Sequence, residues 1–338
     1  MRDVRDVRDA RDVRDARSAS DARSVRDARS ASDVSTASAG DIFEGLILKG
    51  VGGFYTVLSP DGPVVCRPRG RFRLEGVKPL PGDRVRCVRL PDGQGRIEGI
   101  SPRRSVFTRP PVANVDTMVI IVSRAIPISD PFLIDRIAAL AARRGLRVVV
   151  CVNKIDLVPA SALYDTYHGA GYETLCVSAL TGEGMPALRA ALAVAGGVSA
   201  FVGNSGVGKS SLLNRLFSDF ALPTSEVSVR GGRGRHTTRH VELLPVGEGA
   251  WVADTPGFSL FDMDRMETIP PEEVKELFPE FLPWGGACRF TGCLHLSETG
   301  CAIWAAQRRG EIAASRFESY KRLVESAQRA GYSHGVKK

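Results

Sequence analysis

The sequence predicts an α/β protein in three folded parts: a small OB-like β-barrel, a doubly wound α/β domain and a short, mainly helical C-terminal module. Three observations predict it. Between 41 and 105, short alternating runs ("GLILKG", "FYTVLS", "VVCRPR", "DRVRCVRL", "GRIEGI") are separated by the turn signals "PDG", "PGD" and "PDGQG", the texture of a small barrel. Between about 112 and 260, apolar strand-like runs alternate with helical segments, as in doubly wound sheets. From 288 to 301, three cysteines and a histidine cluster. The expected boundaries are a disordered low-complexity tail at 1–40, the barrel at 41–105, the α/β domain at 106–263 and the C-terminal domain at 264–338.

The tail, "MRDVRDVRDARDVRDARSAS" and onward, repeats in degenerate triplets. Apolar residues at every third position drift around a helix and form no single face, so the segment cannot build a core. Its nine arginines and eight aspartates nearly cancel, which leaves most of the net charge of +8 on the folded body. A basic body points toward a polyanionic partner, with a solvated basic surface as the alternative. No apolar run reaches the roughly 18 residues of a membrane span, and no signal-peptide pattern opens the chain. We therefore expect a cytoplasmic protein with no membrane partner. Cys66, Cys87, Cys151 and Cys176 stand singly in apolar runs, as reduced core cysteines do.

Within the barrel, "CRPRGRFRLEG" places Arg67, Arg69, Arg71 and Arg73 at alternate positions. On a strand all four would face one way and, with Phe72, form a surface for tracking phosphates. A solvated barrel face is the alternative.

In the α/β region the strand candidates are 116–123, 147–153, 174–178, 198–203 and 250–255, and "PFLIDRIAALAARRG" and "PALRAALAVAG" read as helices ending at glycine. The strand "VSAFVG" runs into "GNSGVGKSS", residues 203–211, a full match to the phosphate-binding loop in its strand–loop–helix context. Gly203, Asn204, Ser205, Gly206, Val207, Gly208 and Ser211 would wrap phosphates, Lys209 would reach the β and γ phosphates, and Ser210 would hold Mg²⁺. "WVADTPGF" ends a strand at Asp254, with Gly257 three residues on. Such an aspartate sits near Mg²⁺ through water, and the glycine amide senses the γ-phosphate. In "NKID", Asn153, Lys154 and Asp156 follow another strand. The Asp156 carboxylate can accept from guanine N1–H and the exocyclic amine, groups that adenine lacks. Ser178, Ala179 and Leu180 of "VSALTGEG" match the loop that closes over the guanine oxygen.

The parts of a GTPase are thus present, but the base loops precede the phosphate loop by fifty residues. A doubly wound sheet tolerates this when old termini are joined and a surface connection is opened. We read the domain as a circularly permuted P-loop GTPase.

That order, with "RPPVANVD", "NKID", "GNSGVGKSSLLN", "GRGRHTT", "DTPGF" and the late Cys/His cluster, resembles the bacterial ribosome small subunit-dependent GTPase family, RsgA, over about residues 42–330. The resemblance implies an OB barrel, a permuted GTPase and a zinc-binding C-terminal domain acting in late maturation of the small ribosomal subunit. It implies that subunit and its rRNA as partners, other assembly factors among them, GTP/GDP with Mg²⁺, and one structural Zn²⁺; a monomer is expected. The cluster Cys288-x4-Cys293-x-His295-x5-Cys301 can surround zinc with four protein ligands and no open position, which makes the metal structural; read from spacing alone, ordinary reduced cysteines are the alternative.

The loop 225–240 lies where switch I belongs. Its Arg230, Arg233 and Arg235 can meet RNA, and Thr237 or Thr238 can complete the Mg²⁺ shell. Phe258 occupies the place where Ras-like enzymes carry a water-positioning glutamine, so slow intrinsic turnover and acceleration on the ribosomal subunit are expected. His236 is the internal candidate for orienting water, against a structural or RNA-contacting role. A GTP-gated RNA-binding scaffold with incidental hydrolysis is the second functional reading.

Overall fold

The computed structural model of the chain describes residues 41–194, 196–218, 241–247, 249–254 and 269–335, the side chains of 218 and 331–335 excepted. The tail and the 225–240 loop therefore lie outside the described residues, as do Gly257 and Phe258.

Five strands close the barrel: β1 (Ile42–Val51), β2 (Phe54–Ser59), β3 (Gly62–Pro68), β4 (Arg84–Arg89) and β5 (Gly95–Ile100). Their order is β1–β2–β3–β5–β4, with β4 returning to β1 and β3 parallel to β5. Alternation drives the closure: Val64 and Cys66 on β3 and Val85 and Cys87 on β4 point inward, with intervening residues at the surface or half-buried. One expectation fails here. Pro68 ends β3, and Gly70–Leu74 form a short helix, α1, that drops Phe72 into the barrel core. Arg67 stays on β3 and Arg69 caps the turn, while Arg71 and Arg73, two apart on the helix, diverge by about 200°, so the four do not form one strand face. Burial of the Phe72 ring in the barrel interior outweighs the period-2 pattern of the local sequence.

A hairpin of β6 (Val106–Thr108) and β7 (Pro111–Ala113) leads from the barrel to β8 (Val115–Ser123). Asn114 makes this joint rigid: its side chain accepts from Arg104 N at 2.8 Å and donates to Gly82 O at 2.8 Å. This gives a physical reason for the asparagine in "RPPVANVD".

The α/β sheet runs β10 (Glu173–Cys176), β9 (Arg147–Asn153), β8, β11 (Val198–Val202), β13 (Ala250–Asp254) and β12 (Glu242–Gly247), parallel except for β12. Successive residues of β8 feed opposite cores. Met118, Ile120 and Val122 join the core that includes α2 (Pro131–Arg143) and α3 (Ser161–Gly169), while Val119 and Ile121 join the core that includes α4 (Met185–Leu192) and α5 (Lys209–Ser218). Helix α2 starts on Asp130, whose carboxylate accepts from Phe132 N, and stops where Gly145 takes a φ of +69°. Helix α4 ends at Leu192, short of the glycine expected to stop it. The chain goes β8–β9–β10 in one direction and then crosses back to β11 on the other side of β8. The sheet's switch point, where nucleotides bind in such folds, therefore lies between the ends of β8 and β11.

Two junctions were invisible in the sequence. Strand β1 pairs with β12 at Lys49 and Glu242, so the barrel and the α/β sheet form one eleven-stranded sheet. The Lys49–Glu242 ion pair there, 3.2 Å and exposed, contributes little; Leu46 holds the joint by belonging to the same buried cluster as Leu243 and Trp251. The C-terminal part comprises two 3-10 turns (Val274–Leu277 and Pro279–Trp284), α6 (Ala302–Arg308) and α7 (Ala314–Gly335). It extends the α2-side core through Phe278, Phe281, Phe317 and Tyr320. At its centre Arg316, fully buried, bonds Asp135 of α2 at 2.6 Å and Glu280 at 2.6 and 2.9 Å.

Candidate nucleotide site and metal centre

Strands β9, β11 and β13 are parallel, so their C-terminal ends bring Asn153, Val202 and Asp254 to one edge. Asn153 binds three of the site's segments together. Its Nδ2 donates to Val207 O in the phosphate loop at 2.9 Å, and its Oδ1 accepts from Ala179 N at 3.1 Å. Residues separated by fifty positions and in permuted order thus meet through one buried side chain. Gly208 has a φ of +100°, and a Cβ there would lie 2.2 Å from Asn153 Nδ2. Only glycine permits that approach.

In the base-reading loops, Ser178 Oγ donates to Asp156 Oδ1 at 2.5 Å and accepts from Thr181 N at 3.0 Å. This holds an exposed carboxylate in place in the turn. Lys154, at a φ of +67°, donates to Ile126 O at 2.9 Å, which ties the "NKID" turn to the loop after β8. Leu180 is exposed beside these loops.

At the phosphate loop the Lys209 ammonium donates to Gly203 O at 2.7 Å and Asn204 O at 2.8 Å. Burial lowers its pKa from the ordinary lysine value, and an anion between the loop amides would offset that cost. Val207 is buried in the core beneath the loop, Ser205, Gly206, Ser210 and Ser211 are exposed, and Asp254 is buried at the end of β13. Asn153, Lys154, Asp156, Ser178, Ala179 and residues 203–211 therefore share one edge with Asp254. The predicted Gly257, Thr237, Thr238 and His236 lie outside the described residues, together with Arg230, Arg233 and Arg235. The segment sequence reasoning missed is the loop after β8, which offers Ile126 O to Lys154 and sets Pro127 against Gly206. No nucleotide-binding pattern in the sequence marks it.

The second centre is the Cys/His cluster. The ligand atoms of Cys288, Cys293, His295 and Cys301 all lie within 4.8 Å of one another. Cys288 Sγ is 3.5 Å from His295 Nδ1 and 3.9 Å from Cys301 Sγ, and His295 Nδ1 is 3.3 Å from Cys301 Sγ. With zinc–sulfur bonds of about 2.3 Å a tetrahedron has edges of about 3.8 Å, so the set fits Zn²⁺. Burial pushes the Cys293 thiol up to about 12; a divalent cation supplies the charge that thiolate ligation requires. Glu298 shapes the loop by accepting from the backbone N–H groups of Leu294, Leu296 and Ser297. Tyr320 OH donates to Leu294 O at 2.7 Å and Trp304 Nε1 to Leu296 O at 3.0 Å, which seats the cluster on α6 and α7.

The barrel arginines are exposed but mostly engaged within the chain. The Arg67 guanidinium lies 4.2 Å over the Phe54 ring, Arg69 bonds Glu98 at 2.9 Å, and Arg71 donates to the Glu98 carbonyl oxygen. Arg73 has no partner among the described residues.

Comparison with known proteins agrees with this geometry. The profile of the RsgA GTPase family matches residues 100–264, and that of the RsgA N-terminal domain matches residues 44–97. A Moorella thermoacetica protein named small ribosomal subunit biogenesis GTPase RsgA is 46% identical over 279 residues, covering 82% of this chain and 94% of the relative. Its counterpart of the same name from Ruminiclostridium cellulolyticum is 42% identical over 289 residues, covering 83% and 93%. Among solved structures, YjeQ from Thermotoga maritima superposes with a TM-score of 0.71 at 33% identity, covering 85% of this chain and 99% of that one. YloQ, described as a circularly permuted GTPase, superposes with a TM-score of 0.70 at 30% identity, covering 87% and 98%. With its base loops ahead of its phosphate loop, a closed barrel before them and a Cys₃His cluster behind, this chain belongs to the RsgA GTPase family.

Proposed function

We propose that the chain is a GTPase of small ribosomal subunit maturation, which docks on subunit rRNA in its GTP form and uses hydrolysis to time release. The observation that carries the nucleotide reading is Asn153, which bonds the phosphate loop and the 178–180 loop at once. Asp156, held by Ser178, reads guanine; Asn153, Lys154 and Ala179 frame the base; the 203–211 loop wraps the phosphates with Lys209 as countercharge. Mg²⁺, when bound, neutralises charge on the β and γ oxygens, and Ser210, Asp254 through water, and Thr237 or Thr238 would hold it. Gly257 would sense the γ-phosphate. His236 is the proposed water-orienting residue, since Phe258 cannot hydrogen-bond. Cys288, Cys293, His295 and Cys301 hold a structural Zn²⁺.

The same reading divides the chain at 1–40, 41–105, 106–263 and 264–338, and gives Arg67, Arg69, Arg71, Arg73, Arg230, Arg233 and Arg235 to RNA. It makes the protein a cytoplasmic monomer that works alongside other assembly factors. No helix among the described residues is long and apolar enough to cross a membrane. GTP hydrolysis measured alone, with small subunits and with large subunits tests the proposal. Strong stimulation by small subunits only is expected; equal rates in all three would sink it.

A further inference from the structure

The helical turn α1 replaces the flat arginine face the sequence suggested, and what remains free around it has a different character. Three of the four arginines, though exposed, are engaged with partners: Arg67 with Phe54, and Arg69 and Arg71 with Glu98. Glu98 is further claimed by Arg96 at 2.6 Å. Burial raises its pKa, the hydrogen bonds from Arg96 and Arg69 lower it more, and it ends below the usual carboxylate range. That cluster is satisfied, and as a phosphate site it would have to surrender its own carboxylate.

Among the described residues the Arg73 and Lys78 side chains make no such bond, and the acid between them is Glu75 alone. Between the two cations Leu74 is 89% exposed and Val77 39% exposed. Exposed apolar side chains are ordinary one at a time. Val77, with Tyr55, Phe72, Pro68 and Pro79, lines a cavity of about 420 Å³ that Arg69, Arg73 and Lys78 also line; Leu74 is not part of that lining. That volume falls within the about 300–1,000 Å³ of small-ligand sites. Gly70 also lines it, and a Cβ there would meet nothing within 4 Å. The cavity is thus open on the α1 side, apolar and aromatic within, and cationic in its lining.

We propose that the α1 knob and its cavity bind an unpaired stretch of RNA, with a base seated against Val77 and the flanking phosphates on Arg73 and Lys78. An apolar recess flanked by unpaired cations suits a splayed base, whose face is uncharged and whose neighbours are anionic. A base-paired helix presents phosphates without a free base face, and an acidic peptide would meet the cations but leave the recess empty. The inference rests on the rRNA reading of the previous section and places it on particular side chains. It also shifts the expected contact from the four alternate arginines to Arg73 alone among them.

The test is fluorescence anisotropy of the full chain with a labelled single-stranded RNA of about 12 nucleotides, over a salt series, beside cosedimentation with small subunits. The double variant Arg73→Ala/Lys78→Ala is expected to shrink the slope of log affinity against log salt by about 1.4, at about 0.7 per single-strand phosphate contact. Val77→Ala is expected to weaken binding about fivefold with the slope unchanged, because it removes apolar contact and no charge. Gly70→Leu, which fills the recess from its open side, should do the same, and far-UV circular dichroism confirms that each variant folds. If wild type binds subunits and these variants bind RNA and subunits as wild type does, the knob assignment is wrong while the rRNA reading stands. Variants that lose subunits yet keep RNA would point to a protein partner and likewise overturn it. A wild type that binds no subunits brings down both.

Discussion

Removing the guanidinium of Arg316 should unlatch the C-terminal part from the GTPase domain, and the structure sets the size of the effect. Arg316 of α7 is fully buried and bonds Asp135 at 2.6 Å and Glu280 at 2.6 and 2.9 Å, with its guanidinium carbon 4.4 Å over the Phe278 ring. Arg316→Met keeps the apolar stem and strands two buried carboxylates, a loss of about 3–5 kcal/mol at neutral pH. The loss should depend on pH with a definite sign. Burial pushes the Asp135 carboxyl up from its ordinary value, opposed first by the Arg316 charge and then by hydrogen bonds from Ser319, Arg316 and Tyr167. Without the guanidinium it rises further. A carboxyl raised on folding stabilises the fold below its unfolded pKa of about 4 and loses that contribution as pH climbs through the folded value. The deficit of Arg316→Met should therefore be small near pH about 4 and reach full size above neutrality. Urea unfolding in a Trp251→Phe background reads the C-terminal part alone, because the two remaining tryptophans are Trp284 and Trp304. An unchanged midpoint at alkaline pH, or a deficit that grows toward acid, would refute the reasoning.

Two further perturbations address the sites. Asn153→Ala removes the bonds to Val207 O and Ala179 N and leaves one buried backbone carbonyl unpaired, at about 1–3 kcal/mol, and one half-buried N–H; fluorescent GTP should bind at least about tenfold more weakly, with far-UV circular dichroism unchanged. Stripping the metal with a strong chelator, or introducing Cys288→Ser, should release one zinc per chain by elemental analysis and change Trp304 emission, because Trp304 Nε1 holds Leu296 O in the ligand loop.

Most of the candidate nucleotide site was legible in the sequence, for a physical reason. Phosphate wrapping needs glycines at fixed spacing after a strand, and guanine reading needs a carboxylate held at a strand end, so local residue order nearly suffices. The "GNSGVGKSS" and "NKID" segments carry their chemistry wherever the chain is cut. The Cys₃His spacing over fourteen residues is likewise local, and the structure closes it to within 4.8 Å. The arginine row was misread because alternation alone does not distinguish a strand from a turn of helix, and burial of Phe72 decided between them. The Arg316 contacts could not be anticipated, since they bring positions 135, 280 and 316 together, and nothing in a linear pattern pairs them.

By itself, then, the sequence determined which chemical groups the protein carries and the strand ends on which they sit, because those depend on near neighbours along the chain. Only the tertiary structure decided how the three parts join: β1 zipped to β12 in one sheet and Arg316 sunk between two carboxylates. Such contacts depend on burial shared by distant segments, and burial is a property of the folded whole.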